Sequence, residues 1–520
     1  MNRTKELIII LFLVGLIAYI PSFFGGFVWD DEDFVYANRY VAELRIDKFF
    51  TENAIAGRGK VSNYYRPIQF TLYALLARIG GFQPWLFHAM AIMLHIIASV
   101  LVFYTLYILT NKRKHALLTS LVFLIHPVQT ESVSYISGLS DQLYTIFFFA
   151  TILLFLEKGK NMLFFPLSIS LYIVSLLSKE LALVLPGILF LIVVFFKQKT
   201  IKRNLLYISV YALIACIYLI LRFTVLEFMD ISLAWKGSLY GQHMIVRVAT
   251  FFHNFWTYLG ILVFPKDLFM ERDHSIPIMT SIWSRYAVFF IIGNALLLFV
   301  LRYVFKNKKG INLPFFFWLG FLACLIPYTG IFLLNGIFYE HYLYLPMIFF
   351  WGFFFSFPGD WIKHKLTTYI IAFMLLVFLI RSYARQWDWL DDERFYRQTL
   401  THAPTSTRII NGLGMSLASK DRCNEAITVY KRAIRLQPDI PNFYHNIANC
   451  YVQLNRNKDA ETYYLKAIKV SPDFSFSYMS LLTLYIESGQ KDKARQLIEE
   501  HMLDRFYQDR DKLQNLLHNL

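Results

Sequence analysis

Long runs of apolar residues constrain the fold of this chain more than any other feature. A helix needs about 20 apolar residues to cross the hydrocarbon core of a bilayer, and shorter runs are tolerated where neighbouring helices bury them. We interpret eleven such runs as membrane-spanning helices, at residues 7–24, 86–109, 116–125, 143–156, 163–177, 181–196, 205–222, 286–305, 313–334, 342–357 and 366–381. Because hydrophobic residues make up 57% of the sequence, an ordinary soluble globular protein is excluded.

Lysine and arginine are concentrated in short loops between these runs. Residues 1–385 carry 33 basic and 19 acidic side chains, whereas residues 386–520 carry 18 and 17. Short basic loops mark the cytoplasmic side of a membrane protein. The basic excess therefore reports topology and predicts no nucleic-acid partner. The loops concerned are residues 111–114, 158–160, 197–203 and 306–309.

These loops favour one orientation of the bundle. With the N-terminus inside and residues 244–264 interpreted as a re-entrant or interfacial helix, eleven crossings place all four loops in the cytoplasm. The loop at residues 25–85 and the tail at residues 386–520 then lie on the non-cytoplasmic side. Residues 7–24 are interpreted as a retained first span, because no small-residue cleavage site follows them. We expect an integral, multi-pass membrane protein, in the inner membrane if the source is bacterial.

Four consecutive acidic residues, Asp30 to Asp33, follow the first apolar run within a few positions. Ionisable groups at the rim of a bilayer are costly to keep dry and are functional candidates by default. The neighbouring Trp29 suits the membrane interface. The alternative is a solvated loop that merely ends a helix. We favour chemistry, because the loop at residues 25–85 is too long for a connector and function concentrates in such loops.

Ionisable residues also stand at the outer ends of several later spans. A carboxylate acts as a general base toward a hydroxyl group, and arginine or lysine stabilises a phosphate leaving group. Together they predict an aqueous pocket suited to a lipid-phosphate sugar donor, although each residue alone also fits an isolated rim position. The residues are His126, Glu131, Asp141, Lys179, Glu180, Arg222, Glu340 and His341. The sequence contains no recognisable glycine-rich phosphate loop or metal-ligand spacing.

The tail beyond residue 385 contains an internal repeat with a period of 34 residues. The pattern includes small residues where two helices cross, large residues between them and a proline after the second helix, as in the tetratricopeptide repeat. Three units are expected, with residues 475–503 as the last and a helix at residues 391–402 in front. The matching positions include Pro404, Pro438 and Pro472; Ala426, Ala460 and Ala494; and Tyr430 with Tyr464.

A set of short motifs precedes these repeats in a fixed order. They are Phe27–Asp33, Tyr65-Arg66-Pro67, His126-Pro127-Val128-Gln129-Thr130-Glu131, Ile136-Ser137-Gly138, Leu177-Ser178-Lys179-Glu180 and Glu340-His341-Tyr342-Leu343-Tyr344-Leu345-Pro346. With the repeats, the sequence resembles the transmembrane-and-tetratricopeptide-repeat (TMTC) O-mannosyltransferases and their microbial relatives, within the GT-C glycosyltransferases. The resemblance covers nearly the whole chain.

The resemblance implies an all-α protein with two parts. Residues 1–385 would form a polytopic membrane helix bundle of the GT-C type, and residues 386–520 a tetratricopeptide α-solenoid. The implied reaction is inverting transfer of mannose or another hexose from a polyprenyl- or dolichyl-phosphate donor to a hydroxyl acceptor at the non-cytoplasmic face. The acceptor would be a protein serine or threonine, or a glycan. Because stacked helix pairs form a concave groove, the repeats are expected to present it; the alternative is that they serve self-association or docking to another envelope protein.

The resemblance also assigns residues. It places the catalytic carboxylates at Asp30 and Asp31, with Asp31 as the base, and leaves a divalent metal at these carboxylates open. Apart from the resemblance, Arg222 at the end of its span is expected to contact the leaving phosphate, with Lys179 as the runner-up; the alternative is an arginine that only snorkels to the interface. Unlike the family pattern, the chain has His341 where arginine is frequent, and about three repeats where animal members carry many. The expected substrate-binding residues are Arg66, His126, Glu131, Asp141, Lys179, Glu180, Arg222, Glu340 and His341.

Two other functions fit parts of the sequence. A ligase or polymerase of lipid-linked glycans would be expected to centre on arginine and histidine in a late outer loop, whereas the acidic cluster here comes early. A non-enzymatic assembly protein would use the bundle as an anchor and the repeats as its working part. That function predicts a dispensable acidic cluster.

Overall fold

The computed structural model of this chain describes residues 2–197, 200–230, 232, 235, 237–273, 275–305, 311–358, 362, 364–503 and 510–519. These residues form helices and loops with no strand among them, which confirms the all-α prediction. They divide into two compact units, Met1–Asp391 and Asp392–Leu520. The basic loop at residues 306–309 lies outside the described residues, as does part of the loop at residues 197–203.

The first unit contains a bundle of long helices with short helices in its loops. In chain order its described α-helices are α1 (Asn2–Tyr19), α2 (Arg39–Ala42), α3 (Ile46–Thr51), α4 (Pro67–Gly80), α5 (Pro84–Thr110), α6 (Arg113–Ile125), α7 (Gln129–Ser134), α8 (Leu139–Glu157), α9 (Phe164–Ser178), α10 (Leu185–Phe196), α11 (Ile201–Arg222), α12 (Leu239–Gln242), α13 (Met244–Val263), α14 (Arg285–Phe305), α15 (Leu313–Leu325), α16 (Pro346–Phe355) and α17 (Lys365–Arg385). Each apolar run interpreted as a span contains one of these α-helices.

Six helical segments are long and apolar enough to cross a membrane, judged by length and composition among the described residues. They are Thr4–Phe24, Pro84–Thr110, Ile136–Glu157, Ile201–Arg222, Arg285–Phe305 and Lys365–Trp389. Four shorter apolar helices accompany them: Phe164–Ser178, Glu180–Phe196, Leu313–Tyr328 and Pro346–Phe355. A multi-pass membrane protein follows from these segments. The number of crossings and their direction stay predictions.

One run differs from the sequence-based interpretation in length. The run at residues 313–334 leaves the helical conformation after Tyr328, because Pro327 removes a backbone donor and Gly330 adopts a positive φ of 81°. The helix α13, interpreted as re-entrant or interfacial, is 20 residues long and is not among the six long spans.

The long loop after the first span packs on the bundle. Pro67 is the first residue of α4, as the sequence predicts. Phe34 from the loop packs against Phe70 of α4, and the same hydrophobic cluster contains Phe87 of α5 and Ile136. The loop that carries the acidic motif is therefore part of the folded core.

The first and last spans are joined by one buried amide, Gln386. Its Oε1 accepts hydrogen bonds from the backbone N–H (3.1 Å) and the hydroxyl (2.8 Å) of Ser22. Its Nε2 donates to the backbone oxygens of Ala18 and Ser382. Because Gln386 is fully buried, these bonds satisfy groups that water cannot reach. The segment after α17 thus belongs to the bundle, and the compact unit ends at Asp391 rather than at residue 385.

The second unit is a row of helix pairs. Its described α-helices are α18 (Asp392–His402), α19 (Thr407–Ser419), α20 (Cys423–Leu436), α21 (Pro441–Gln453), α22 (Asn457–Val470), α23 (Ser475–Glu487), α24 (Lys491–Leu497) and α25 (Arg510–Asn519). Each of the three predicted repeats forms one pair, and α18 stands in front as expected. A Cβ on Gly414 would lie 2.4 Å from the ring of Tyr430, so the small residue permits the close crossing of α19 and α20.

We expect Gln386→Leu to destabilise the first unit by roughly 1–3 kcal/mol, because leucine leaves the buried donors of Ser22 without an acceptor. The measurement is the thermal midpoint of the purified protein in detergent or nanodiscs. Gln83→Leu is the matched control, since Gln83 is exposed and its side chain does not cap α5. Equal midpoints for the two variants would contradict the assigned role.

Candidate functional site

The acidic motif begins with a strained turn. Trp29 has a φ of 58°, a left-handed conformation that is unfavourable for a bulky side chain. Such strain persists only where the surrounding structure enforces it, and it is concentrated at functional sites. A π-helical turn, Glu32–Tyr36, follows directly. The turn sets the directions of the two aspartates between these features.

Asp31 is held by three hydrogen bonds. Its Oδ1 accepts from the backbone N–H (2.7 Å) and the hydroxyl (2.5 Å) of Ser137, and its Oδ2 accepts from the N–H of Val28 (3.0 Å). The side chain is buried, with 1% exposure. Burial raises the pKa of Asp31 to about 7, although the bonds from Ser137 and Val28 oppose the rise. Asp31 therefore anchors the loop to the segment that precedes α8.

Asp30 has a different environment from Asp31. It is only partly buried, and it lies within electrostatic range of Tyr64 and Tyr135. Tyr135 in turn packs against Trp389, with ring centroids 5.3 Å apart. Of the two adjacent carboxylates, Asp30 is the more exposed.

The other two acids of the motif belong to surface ion pairs. Glu32 lies 2.8 Å from Arg58, and Asp33 lies 2.7 Å from Lys60 and 3.4 Å from Arg58. These pairs close the outer edge of the loop. Because the four side chains are partly exposed to solvent, the pairs contribute little stability.

A buried ion pair lies near the acidic turn. Lys179, between α9 and α10, contacts Asp141 at 2.7 Å, and their side chains are 4% and 1% exposed. Arg66 lies over the ring of Tyr64 at 4.7 Å and is within electrostatic range of Asp141 and Glu180. Among the described residues the Nε of Arg66 has no hydrogen-bond partner. Two cations and two carboxylates thus lie close together, and Tyr64, which is within electrostatic range of both Arg66 and Asp30, connects them to the acidic turn.

Glu131 and His341 form a second pair next to this cluster. The Nδ1 of His341 lies 2.6 Å from Oε1 of Glu131, and Oε2 of Glu131 accepts the backbone N–H of Glu340 at 3.1 Å. His341 is within electrostatic range of Lys179 and Asp141. The structure therefore gathers nine of the predicted residues into one polar centre: Asp30, Asp31, Arg66, Glu131, Asp141, Lys179, Glu180, Glu340 and His341.

Two arginines that the sequence analysis did not select complete this centre. Arg385 lies 2.6 Å from Oε2 of the fully buried Glu340, and Arg272 lies 3.5 Å from its Oε1. A glutamate at membrane depth, such as Glu340, predicts that a basic partner lies nearby in the fold. The sequence does not show which basic residue that partner is.

Two predicted residues have other surroundings. His126 bonds the backbone oxygen of Leu262 through Nε2 at 3.0 Å, and its ring meets Phe378 at 4.5 Å. Arg222 donates to the backbone oxygens of Asn63 and Leu226, and so joins the end of α11 to the loop at residues 25–85. Arg222 is within electrostatic range of Glu180, so it stands at the edge of the centre.

The described residues contain no group of three or more His, Cys, Asp or Glu side chains placed to hold a metal ion. The carboxylates of the centre are instead matched by hydrogen-bond donors and cations.

Comparison with known proteins supplies a family context. Two tetratricopeptide-repeat models match the second unit, at residues 414–455 and 441–474. Mouse protein O-mannosyl-transferase TMTC3 is 22% identical over 500 residues, which cover 87% of this chain and 53% of the mouse protein. Human TMTC3 is 22% identical over 86% of the chain, and human TMTC4 is 26% identical over 80%. The homologues of this chain are thus TMTC O-mannosyltransferases.

These matches confirm the resemblance to the TMTC O-mannosyltransferases over most of the chain. The relatives are named as glycosyltransferases, and their similarity extends through the membrane unit into the repeats. The chain spans about half the length of the TMTC3 proteins, 53% in both the mouse and the human protein.

If this chain transfers a sugar, as its relatives are named to do, the pH dependence of that transfer is expected to follow Asp31. Transfer should fall as the pH drops through about 7, because protonation removes an acceptor that anchors the loop. Ser137→Ala deletes a bond that stabilises the ionised form. It should therefore raise the pKa of Asp31 and move the acid limb upward by roughly one pH unit.

The pH–rate profile of the purified protein measures this shift. Ser140→Ala is the control, because Ser140 is also buried and its hydroxyl has no hydrogen-bond partner among the described residues. An acid limb that stays unchanged in Ser137→Ala would contradict the assigned role of Asp31.

Proposed function

We propose that this chain is a membrane O-mannosyltransferase. It moves mannose from a polyprenyl- or dolichyl-phosphate donor to a protein serine or threonine at the non-cytoplasmic face. The observation that supports this most is the placement of a partly exposed Asp30 beside a buried, anchored Asp31, in the same polar centre as two cations, Arg66 and Lys179. The names of the relatives agree with this chemistry.

Asp30 is the proton acceptor in this proposal, and Asp31 positions it. The sequence analysis had placed the base at Asp31. Both oxygens of Asp31 already accept hydrogen bonds and its side chain is 1% exposed, so an acceptor hydroxyl would have to displace the loop to reach it. Asp30 lies one residue earlier on a strained turn and is more exposed.

The transfer then proceeds as a single displacement. Asp30 takes the proton of the acceptor hydroxyl, whose oxygen forms a bond to the anomeric carbon of mannose. The bond from that carbon to the phosphate oxygen breaks, the anomeric configuration inverts, and the lipid phosphate leaves with the electron pair. Arg66, which keeps some exposure, stabilises the charge that develops on this phosphate. Lys179 is buried and paired with Asp141, so it adds positive potential without contacting the phosphate. The guanidinium of Arg222 already donates to the backbone oxygens of Asn63 and Leu226, so Arg222 does not contact the phosphate directly in this proposal.

Purified protein assayed against a panel of polyprenyl-phosphate sugars, with a serine- and threonine-rich peptide as acceptor, tests the function. Transfer of mannose to the peptide supports the proposal. Absence of transfer from every donor would favour a non-enzymatic role as a membrane-anchored assembly protein.

We expect Asp30→Asn to lower the rate of transfer by about 10²–10⁴-fold, the usual cost of removing a general base. Asp33→Asn is the matched control in the same loop, because Asp33 lies in a partly exposed ion pair with Lys60. Its rate should stay within about threefold of wild type. Full activity of Asp30→Asn together with an inactive Asp31→Asn would return the base to Asp31.

The repeats are proposed to present the acceptor. Stacked helix pairs form a concave surface that binds extended peptides, and a tethered surface raises the local concentration of an acceptor. Deletion of residues 392–520 is expected to leave donor binding unchanged and to lower transfer to a protein acceptor. Equal loss of transfer to a short peptide and to a folded protein would argue against presentation by the repeats.

The sidedness of the repeats has a separate test. Lys491 is exposed at the start of α24, so a Lys491→Cys variant lacking the native cysteines accepts an impermeant thiol reagent. We expect labelling from the non-cytoplasmic side of sealed vesicles. Labelling from the cytoplasmic side alone would rule out presentation of an acceptor to the outer face.

A further inference from the structure

The pair formed by Glu131 and His341 lies in the polar centre, but the mechanism above does not use it. Glu131 is fully buried, whereas the side chain of His341 keeps 20% exposure. The His341 ring is stacked on Tyr339, with centroids 5.1 Å apart and planes 15° apart, and it meets Tyr342 edge-on at 5.0 Å. Two aromatic contacts and one hydrogen bond thus fix both the plane and the direction of this imidazole.

The carboxylate of Glu131 decides which ring nitrogen carries the hydrogen. Burial raises the pKa of Glu131 to about 7. Above that pH the carboxylate is ionised and only accepts hydrogen bonds, so Nδ1 of His341, 2.6 Å away, donates. In a neutral imidazole the other nitrogen, Nε2, then carries a lone pair. The second oxygen of Glu131 is occupied by the backbone N–H of Glu340, which prevents the carboxylate from turning away. Nε2 makes no hydrogen bond with another described residue.

The charges near Nε2 limit what it can bind. Lys179 is paired with Asp141 at 2.7 Å, and Arg66 is within electrostatic range of Glu180. A lone pair repels a phosphate oxygen but accepts a hydrogen bond from a hydroxyl group. The chemistry at this nitrogen therefore suits a donor hydroxyl, such as those on a sugar ring, and does not suit the phosphate itself.

We propose that Nε2 of His341 accepts a hydrogen bond from one hydroxyl group of the transferred sugar, and that Glu131 positions His341 for this by fixing its tautomer. This assignment rests on the proposed glycosyl transfer and extends it, because it makes His341 a determinant of sugar specificity. Removing that hydroxyl from the sugar and removing Nε2 from the enzyme should each abolish this one hydrogen bond.

The test uses lipid-phosphate mannose donors in which the 2-, 3-, 4- or 6-hydroxyl is replaced singly by hydrogen. With the full-length wild-type protein, one of these donors should have a kcat/KM lower than the parent by about 10- to 100-fold, the cost of leaving a buried acceptor unpaired. His341→Asn retains an amide near Nδ1 to contact Glu131 but has no atom at the Nε2 position. In this variant the ratio between the parent and that deoxy donor should fall to within about threefold.

Two further variants separate the hydrogen bond from other roles. His341→Gln places an amide oxygen near the Nε2 position and should retain most of the wild-type ratio. In Glu131→Gln the amide oxygen must face the N–H of Glu340, so its NH₂ group faces Nδ1. That arrangement moves the ring hydrogen to Nε2, and the ratio should be lost although His341 is present. His243→Asn is the control, since His243 is exposed and outside the centre.

The outcomes distinguish this assignment from the function on which it rests. A wild-type protein that transfers from no donor overturns the proposed function and the assignment with it. An active wild type that tolerates every deoxy donor, or an unchanged ratio in His341→Asn or Glu131→Gln, overturns the assignment alone. A fall in kcat of about 10²–10⁴-fold in both His341 variants, with the donor ratio unchanged, would identify His341 as a proton acceptor and also overturn it.

Discussion

The buried carboxylate of Asp31 is the interaction on which the candidate site depends. Through Ser137 it joins the outer loop to the segment before α8, and through Val28 it closes the turn on itself. An ionised carboxylate is stable in such surroundings only when donors surround it. The same bonds hold Trp29 in a strained conformation and so direct Asp30. The position of the loop, the strained conformation of Trp29 and the direction of Asp30 therefore depend on the same hydrogen bonds.

Other buried charges of the polar centre are also paired, each with a side chain of opposite charge. Glu340, with no exposed surface, is paired with Arg385 and lies near Arg272, and Lys179 is paired with Asp141. Removing one partner from such a pair typically costs 3–5 kcal/mol, because the other charge is left buried and alone. Variants at these residues lose stability and activity together. His341 and Asp30, which keep some exposure, are the positions where function can be tested separately.

The helices and repeats were predictable because their signals are local. Apolar runs located an α-helix in every interpreted span, Pro67 marked the start of α4, and the 34-residue register located three helix pairs. The centre was only partly predictable. Arg385 was not among the predicted site residues, yet it pairs with Glu340, 45 positions earlier in the chain. His126 looked like a site residue, yet it bonds the backbone of another helix.

The sequence by itself determined the all-α class, the membrane character, the repeat array and the set of charged residues from which a site is built. Only the tertiary structure decided how these charges are matched: Asp31 with Ser137, 106 positions apart, and Glu131 with His341, 210 positions apart. Periodicity and hydropathy report each segment's own preference for helix and for lipid. Which buried charge meets which donor depends on how segments distant in sequence pack, because burial leaves each charge no solvent to replace a missing partner.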